Sequence, residues 1–190
     1  MLLIDSMRIF TIVILLITMD SCYLYYGCDK DNGLITLSED TRQWTPYFHL
    51  DEVIFENESG ESVIKVSEYV DSVQSYDRGD ECEYGIEEMT LTKLVSSSFT
   101  DTITVRLTRQ RVDIENANFQ LTYLEDTKMV YPSKHTNKKY QETFKIDQKV
   151  FNEVLISKCS ICGGLSEIVF SKNNGLVVYK FNDVYWTKKY

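Results

Sequence analysis

The pair Cys159 and Cys162, separated by two residues, is the sequence feature that most directly suggests chemistry. A Cys-x-x-Cys pair serves redox reactions when the first thiol lies at the start of a helix, because the helix terminus lowers its pKa. Here Gly163 and Gly164 follow, and a strand-like run comes next, so no such helix is predicted. An extracytoplasmic enzyme or thiol-redox protein that uses Cys159 and Cys162 is therefore the alternative function and not the leading one.

The same cysteines fit structural disulfides, which form in exported proteins. The chain has five cysteines, and if one carries a lipid, the four that remain allow three pairings. We expect Cys82 to pair with Cys159 or Cys162. A zinc site would need a second pair at a defined spacing, and neither His49 nor His135 has a neighbouring ligand. We therefore expect no metal and no cofactor.

Three aromatic residues in the run WTPYFH, Trp44, Tyr47 and Phe48, are the candidate ligand platform. If exposed, their faces would bind a sugar ring or a peptide. If buried, they form the first layer of the core, and this interpretation is favoured because aromatic residues commonly fill the cores of β-sandwiches.

Acidic residues occur as adjacent pairs, for example Asp51-Glu52 and Glu87-Glu88. Neighbouring residues of a strand point to opposite faces, so these pairs do not form the facing carboxylates that glycoside hydrolysis needs. The sequence contains no Ser-His-Asp arrangement, phosphate-binding loop or dinucleotide fingerprint. We expect no catalytic residues and a protein that is not an enzyme.

The formal net charge of -9 disfavours nucleic-acid binding, which depends on clustered basic side chains. Thirteen tyrosines and nine phenylalanines favour strands, because aromatic side chains fit a pleated surface. Alternation with a period of two is clearest in residues 102–108, where Ile103, Val105 and Leu107 share one face. Residues 119–123 alternate in the same way, and we expect these two strands to pair, with residues 111–118 as their connection.

Turn residues place two hairpins. Residues 52–56 and 62–66 flank a polar turn, and Asn174-Gly175 supplies the positive φ angles of a tight turn between residues 168–171 and 176–181. A second turn at Asn182-Asp183 leads into a last strand. The fold class predicted is all-β, a single antiparallel sandwich or small barrel of roughly seven to ten strands after an N-terminal signal segment.

The amino-terminal run IFTIVILLITM, residues 9–19, carries no charge and follows Arg8. It is shorter than the roughly 20 apolar residues of a spanning helix but suits the apolar region of a signal peptide. We divide the chain into a lipoprotein signal peptide (1–21), a lipidated tether (22–40) and a β-rich domain (41–190).

Ser21-Cys22 at the end of this run resembles a lipobox, the site at which bacterial signal peptidases cut after a cysteine has been lipidated. The segment is similar to the start of small envelope lipoproteins of Bacteroidota, and the C-terminal hairpin that runs into Trp186 resembles the ending of such chains. Cys22 has the better upstream sequence, whereas Cys28, followed by Asp29-Lys30-Asp31, has the better downstream one. The resemblance implies lipidation at Cys22, with Cys28 as the alternative.

The resemblance implies an outer-membrane lipoprotein of the cell envelope, periplasmic or surface-exposed, held to the membrane by its lipid anchor. The function predicted is a non-enzymatic binding or accessory module with a protein or glycan ligand. Besides the thiol-based enzyme, a structural subunit of a surface assembly is the other alternative.

Overall fold

A computed structural model describes residues 30–77, 83–109, 111–116, 119–124, 128–131, 136–146, 148–161 and 164–190. The chain divides into two compact units, residues 1–33 with 75–86 and residues 34–74 with 87–190. In the first unit the described residues are the ends of three strands. The second unit contains the rest of the sheet and the core.

The described chain consists almost entirely of strands, and the all-β antiparallel class is confirmed. It has thirteen strands, more than the seven to ten predicted, and one short helix. The elements are β1 (Lys30–Ile35), α1 (Glu39–Arg42), β2 (Glu52–Asn57), β3 (Gly60–Asp77), β4 (Glu83–Ser96), β5 (Ile103–Thr108), β6 (Arg111–Glu115), β7 (Gln120–Leu124), β8 (Met129–Tyr131), β9 (Thr136–Ile146), β10 (Lys149–Cys159), β11 (Leu165–Ser171), β12 (Gly175–Phe181) and β13 (Val184–Lys188).

Twelve strands form one sheet in the order β8-β7-β6-β5-β4-β3-β2-β13-β12-β11-β10-β9, and β1 pairs with β4. The order combines two runs of consecutive hairpins, β2 to β8 and β9 to β13. The pairing of β2 with β13 joins the two runs, with Thr187 opposite Glu56.

The sheet of the second unit curls until side chains from its two ends touch. The ring of Tyr123 in β7 stacks on that of Tyr140 in β9, with centroids 5.3 Å apart. Beside them, Lys128 Nζ lies 2.9 Å from Glu142 Oε1. This hydrogen bond raises the pKa of Lys128. Of the two predicted arrangements, the barrel-like one describes this unit.

The alternating apolar residues of β5 point into the core of the second unit, as predicted. Ile103, Val105 and Leu107 of β5 are buried, and so are Ile114 and Val112, which lie opposite Val105 and Leu107. The prediction that residues 111–118 connect two paired strands is wrong, because residues 111–115 form β6, which lies between β5 and β7. Asp113 interrupts the apolar pattern there, which concealed the strand from sequence analysis.

The two predicted hairpins are confirmed. Asn57 lies opposite Gly60 at the end of β2 and β3, and Ser171 lies opposite Gly175 at the end of β11 and β12. Asn173 and Gly175 have φ values of 69° and 68°, the left-handed region that such turns require.

The division into a signal peptide (1–21), a lipidated tether (22–40) and a domain (41–190) stays a prediction, and part of the predicted tether has regular secondary structure. Residues 30–35 form β1, and Ser38 begins α1 by accepting a hydrogen bond from the Thr41 N–H. Glu88 accepts one hydrogen bond from the Leu37 N–H and one from Arg42, each 2.8 Å long. Strand pairing satisfies backbone groups whatever the side chains are, so a charged segment joins the sheet. Residues 1–29 lie outside the described residues.

A second apolar cluster lies on the other face of β10 to β12, apart from the main core. Its buried members are Phe151, Val154, Ile156, Val169, Val177 and Val178, and Phe144 and Ile146 pack against them. The tip of the β9–β10 hairpin is thereby held against this face of the sheet. Among the described residues, no helix has the length and apolar character needed to cross a membrane.

Candidate functional site

A cleft of about 1080 Å³ opens beside the tip of the β9–β10 hairpin, and we name it the hairpin cleft. One wall is the hairpin tip, with Phe144, Ile146 and Lys149. The opposite wall is formed by the β2–β3 turn, residues 56–59, and by the residues that begin β13. All of these residues belong to the second unit.

The hairpin tip is fixed by polar contacts as well as by the second apolar cluster. Lys149 Nζ donates a hydrogen bond to the Lys188 carbonyl oxygen at 2.8 Å and lies 3.3 Å from Glu56 Oε1. The rings of Phe151 and Tyr190 lie with centroids 6.3 Å apart. The wall is thus tied to β2 and to the end of β13.

Glu167 lines the cleft and is 3% exposed. Its register partners on the neighbouring strands are Lys158 and Lys180. The Tyr185 hydroxyl donates to Glu167 Oε2 at 2.8 Å, and Lys158 Nζ lies 3.0 Å from Oε1. Both carboxylate oxygens therefore have partners, as a buried charge requires.

Tyr185 is one of the residues that line the cleft and is 41% exposed. Partial burial and the hydrogen bond to Glu167 raise its pKa to about 12. Lys180 Nζ lies 5.4 Å from the ring centroid and 2.9 Å from Asp183 Oδ1. Asn182 and Asp183 have positive φ values of 49° and 63°, so the predicted second turn is present and places Tyr185 at the cleft.

Positive and negative side chains are equally numerous at and beside the cleft. The lysines at or beside it are Lys145, Lys149, Lys158 and Lys180, and the acidic residues are Glu56, Glu58, Glu167 and Asp183. Three ion pairs use six of these groups: Lys149 with Glu56, Lys158 with Glu167, and Lys180 with Asp183. The surface of the cleft is therefore rich in hydrogen-bonding groups and close to neutral.

The aromatic run does not form the exposed platform. Trp44 is fully buried and Tyr47 is 4% exposed, and the Trp44 ring lies 5.3 Å from that of Tyr123. Both belong to the main core, as the buried interpretation predicted. Phe48 alone is exposed, so a platform made of all three residues is wrong.

Of the predicted cysteine sites, only Cys159 lies within the described residues. It is buried and disulfide-bonded, and its partner lies outside them, so the pairing with Cys82 or Cys162 stays a prediction. Cys22 and Cys28, the lipidation candidates, also lie outside. Within the part of the chain that the structure describes, no group of three or more His, Cys, Asp or Glu side chains is arranged to hold a metal.

Sequence reasoning missed Glu167 and Tyr185 because both lie in segments that were interpreted only as strands. A signal was present, since Glu167 is the only acidic residue in the run LSEIVFS. A charged residue inside a buried apolar strand needs a partner. A search of the adjacent strands for groups that could pair with Glu167 would have pointed to this site.

Comparison of the chain with protein-family models, with curated proteins and with solved structures found no match.

Proposed function

We propose that the protein is a non-enzymatic binding module of the cell envelope that holds its ligand in the hairpin cleft. A lipid on Cys22, with Cys28 as the alternative, anchors the chain to the membrane. The sequence before residue 30 supports the anchor, and the cleft supports the binding role.

The observation that carries the binding role is that Glu167 is buried and that both of its carboxylate oxygens already have partners. A carboxylate used as a general acid or base must reach the substrate with an available oxygen. Both oxygens of Glu167 are engaged by Tyr185 and Lys158, and the side chain is 3% exposed. The group acts as a support that fixes Tyr185 and Lys158, which suits a preformed binding surface.

Intact-mass analysis of the membrane fraction of producing cells tests the anchor. We expect a mass equal to the chain from Cys22 or Cys28 plus acyl groups, because acyl chains on one cysteine give durable membrane attachment. An unacylated chain in the soluble fraction would contradict this part of the proposal.

Arrays of printed glycans and peptides test the binding role, using the purified full-length protein in four forms. These are the wild type, the two cleft variants Tyr185→Ala and Ser59→Trp, and the control Phe48→Ala. Ser59→Trp narrows the cleft from its exposed rim, and Phe48→Ala removes an exposed aromatic ring elsewhere. We expect probes that bind the wild type and the control but neither cleft variant. Recovered probes should have an unchanged mass. Equal binding by all four proteins, or cleavage of the probe, would refute the proposal.

A further inference from the structure

We propose that the ligand of the hairpin cleft is an uncharged carbohydrate chain that stacks one of its rings on Tyr185. The inference rests on the proposed function, in which this cleft binds a ligand, and it adds the ligand's chemical class.

Charge is the first argument. Of the eight charged groups at or beside the cleft, six form three ion pairs, which include three of the four lysines. A polyanion or polycation would need to break these pairs to gain contacts of its own. A neutral ligand leaves them intact, and the same charged groups still offer hydrogen-bond donors and acceptors to hydroxyl groups.

Tyr185 is the second argument. Its hydroxyl is held by Glu167 at 2.8 Å, so the outer end of the side chain is fixed in place before any ligand arrives. The electron-rich face of an aromatic ring attracts positively polarised C–H groups, which a sugar ring presents on one face. Hydroxyl groups at the edge of that sugar would reach the ion pairs around the tyrosine.

The size of the cleft favours a chain over a single sugar. Its volume of about 1080 Å³ lies just above the ~300–1,000 Å³ range of small-molecule pockets. A ligand of several linked rings would fill it from the β2–β3 turn to Tyr185.

Affinity electrophoresis tests this inference, with native gels that contain one polymer each. The neutral probes are laminarin, mannan, xylan and dextran, and the anionic probes are heparin and polygalacturonate. We expect at least one neutral polymer to retard the wild type and Phe48→Ala equally at low and high salt. Tyr185→Ala should weaken binding by about tenfold, the loss of one stacking contact, whereas Tyr185→Phe, which keeps the ring, should lose less.

Ser59→Trp provides a second route, because it blocks the cleft without altering a buried residue. Circular dichroism establishes that each variant is folded. Retardation by anionic polymers alone, a failure of all neutral polymers, or peptide binding that the cleft variants abolish would overturn the carbohydrate inference, and the last result would leave the binding role standing. Binding of neutral polymers that no cleft variant affects would overturn both.

Discussion

The hydroxyl of Tyr47 accepts a hydrogen bond of 2.5 Å from the backbone N–H of Leu176, a residue 129 positions later in the sequence. Both residues are buried. Burial raises the pKa of Tyr47, and the hydrogen bond from Leu176 opposes this effect. This contact joins the segment after α1 to the start of β12.

Replacing Tyr47 with phenylalanine should lower the free energy of unfolding by about 1–3 kcal/mol, because the buried Leu176 N–H loses its acceptor. Chemical denaturation of Tyr47→Phe measures the change. The matched control is Tyr190→Phe, the same substitution at an exposed ring, which should have an unfolding midpoint close to that of the wild type. Equal midpoints for the two variants would show that the hydrogen bond adds nothing.

Gly175 should tolerate no side chain. Its φ is +68°, and an added Cβ would overlap the Tyr47 hydroxyl and ring. Gly33 separates the strain of a positive φ from the overlap of an added Cβ. Its φ is +63°, but an added Cβ would meet nothing within 4 Å. We expect Gly33→Ala to cost about 1 kcal/mol from the backbone alone and Gly175→Ala to cost about 2 kcal/mol more. Similar thermal midpoints for the two variants would rule out the steric contribution.

Lys138 is expected to destabilise the fold at neutral pH. Its Nζ is inaccessible to solvent and has no partner among the described residues, and burial lowers its pKa from 10.5 to about 8. A depressed pKa means that the folded state disfavours the charged form. The contribution of Lys138 to the free energy of unfolding should therefore rise with pH between about 8 and 10.5 and fall as pH decreases through this window.

Lys138→Met should remove this dependence and raise the free energy of unfolding by about 1–2 kcal/mol at neutral pH, with little gain at high pH. Denaturation curves at several pH values measure both effects. Lys139→Met serves as the control because Lys139 is exposed, and it should leave the pH profile unchanged. A Lys138→Met profile parallel to that of the wild type would contradict the prediction.

Reduction of the Cys159 disulfide should lower the free energy of unfolding by about 2–4 kcal/mol, since the bond restricts the unfolded chain. Denaturation with and without a reductant measures the loss. The Cys159→Ser variant should be destabilised without reductant, and the reductant should destabilise it less than it destabilises the wild type. If the reductant destabilises that variant equally, the effect arises from another bond.

Local patterns predicted the parts of the fold that depend on neighbouring residues. The alternation of Ile103, Val105 and Leu107 identified β5, and Asn174-Gly175 located the β11–β12 turn, because side-chain facing and turn geometry are local properties. Strand β6 was missed because Asp113, a charged residue, occupies a nearly buried position. Its burial depends on strand packing that the local sequence does not encode.

The candidate site escaped prediction for a related reason. Lys158, Glu167 and Tyr185 are spread over three strands, and they meet because the registers of β10 to β13 align them. Register depends on every turn between these strands. A sequence motif reports residues that are close along the chain, so it cannot report a site whose residues lie on three different strands.

The pairing of β2 with β13 also sets the order in which the protein can fold. Neighbouring strands elsewhere in the twelve-strand path are consecutive in the chain, so their hairpins can form early from local contacts. The contact of Thr187 with Glu56 spans 131 residues and must wait until β13 has been synthesised. Until then the nascent chain carries β2 as an open edge, which is a template for pairing with another copy. Until β2 and β13 pair, the chain is therefore prone to aggregation, and this pairing closes the exposed edge.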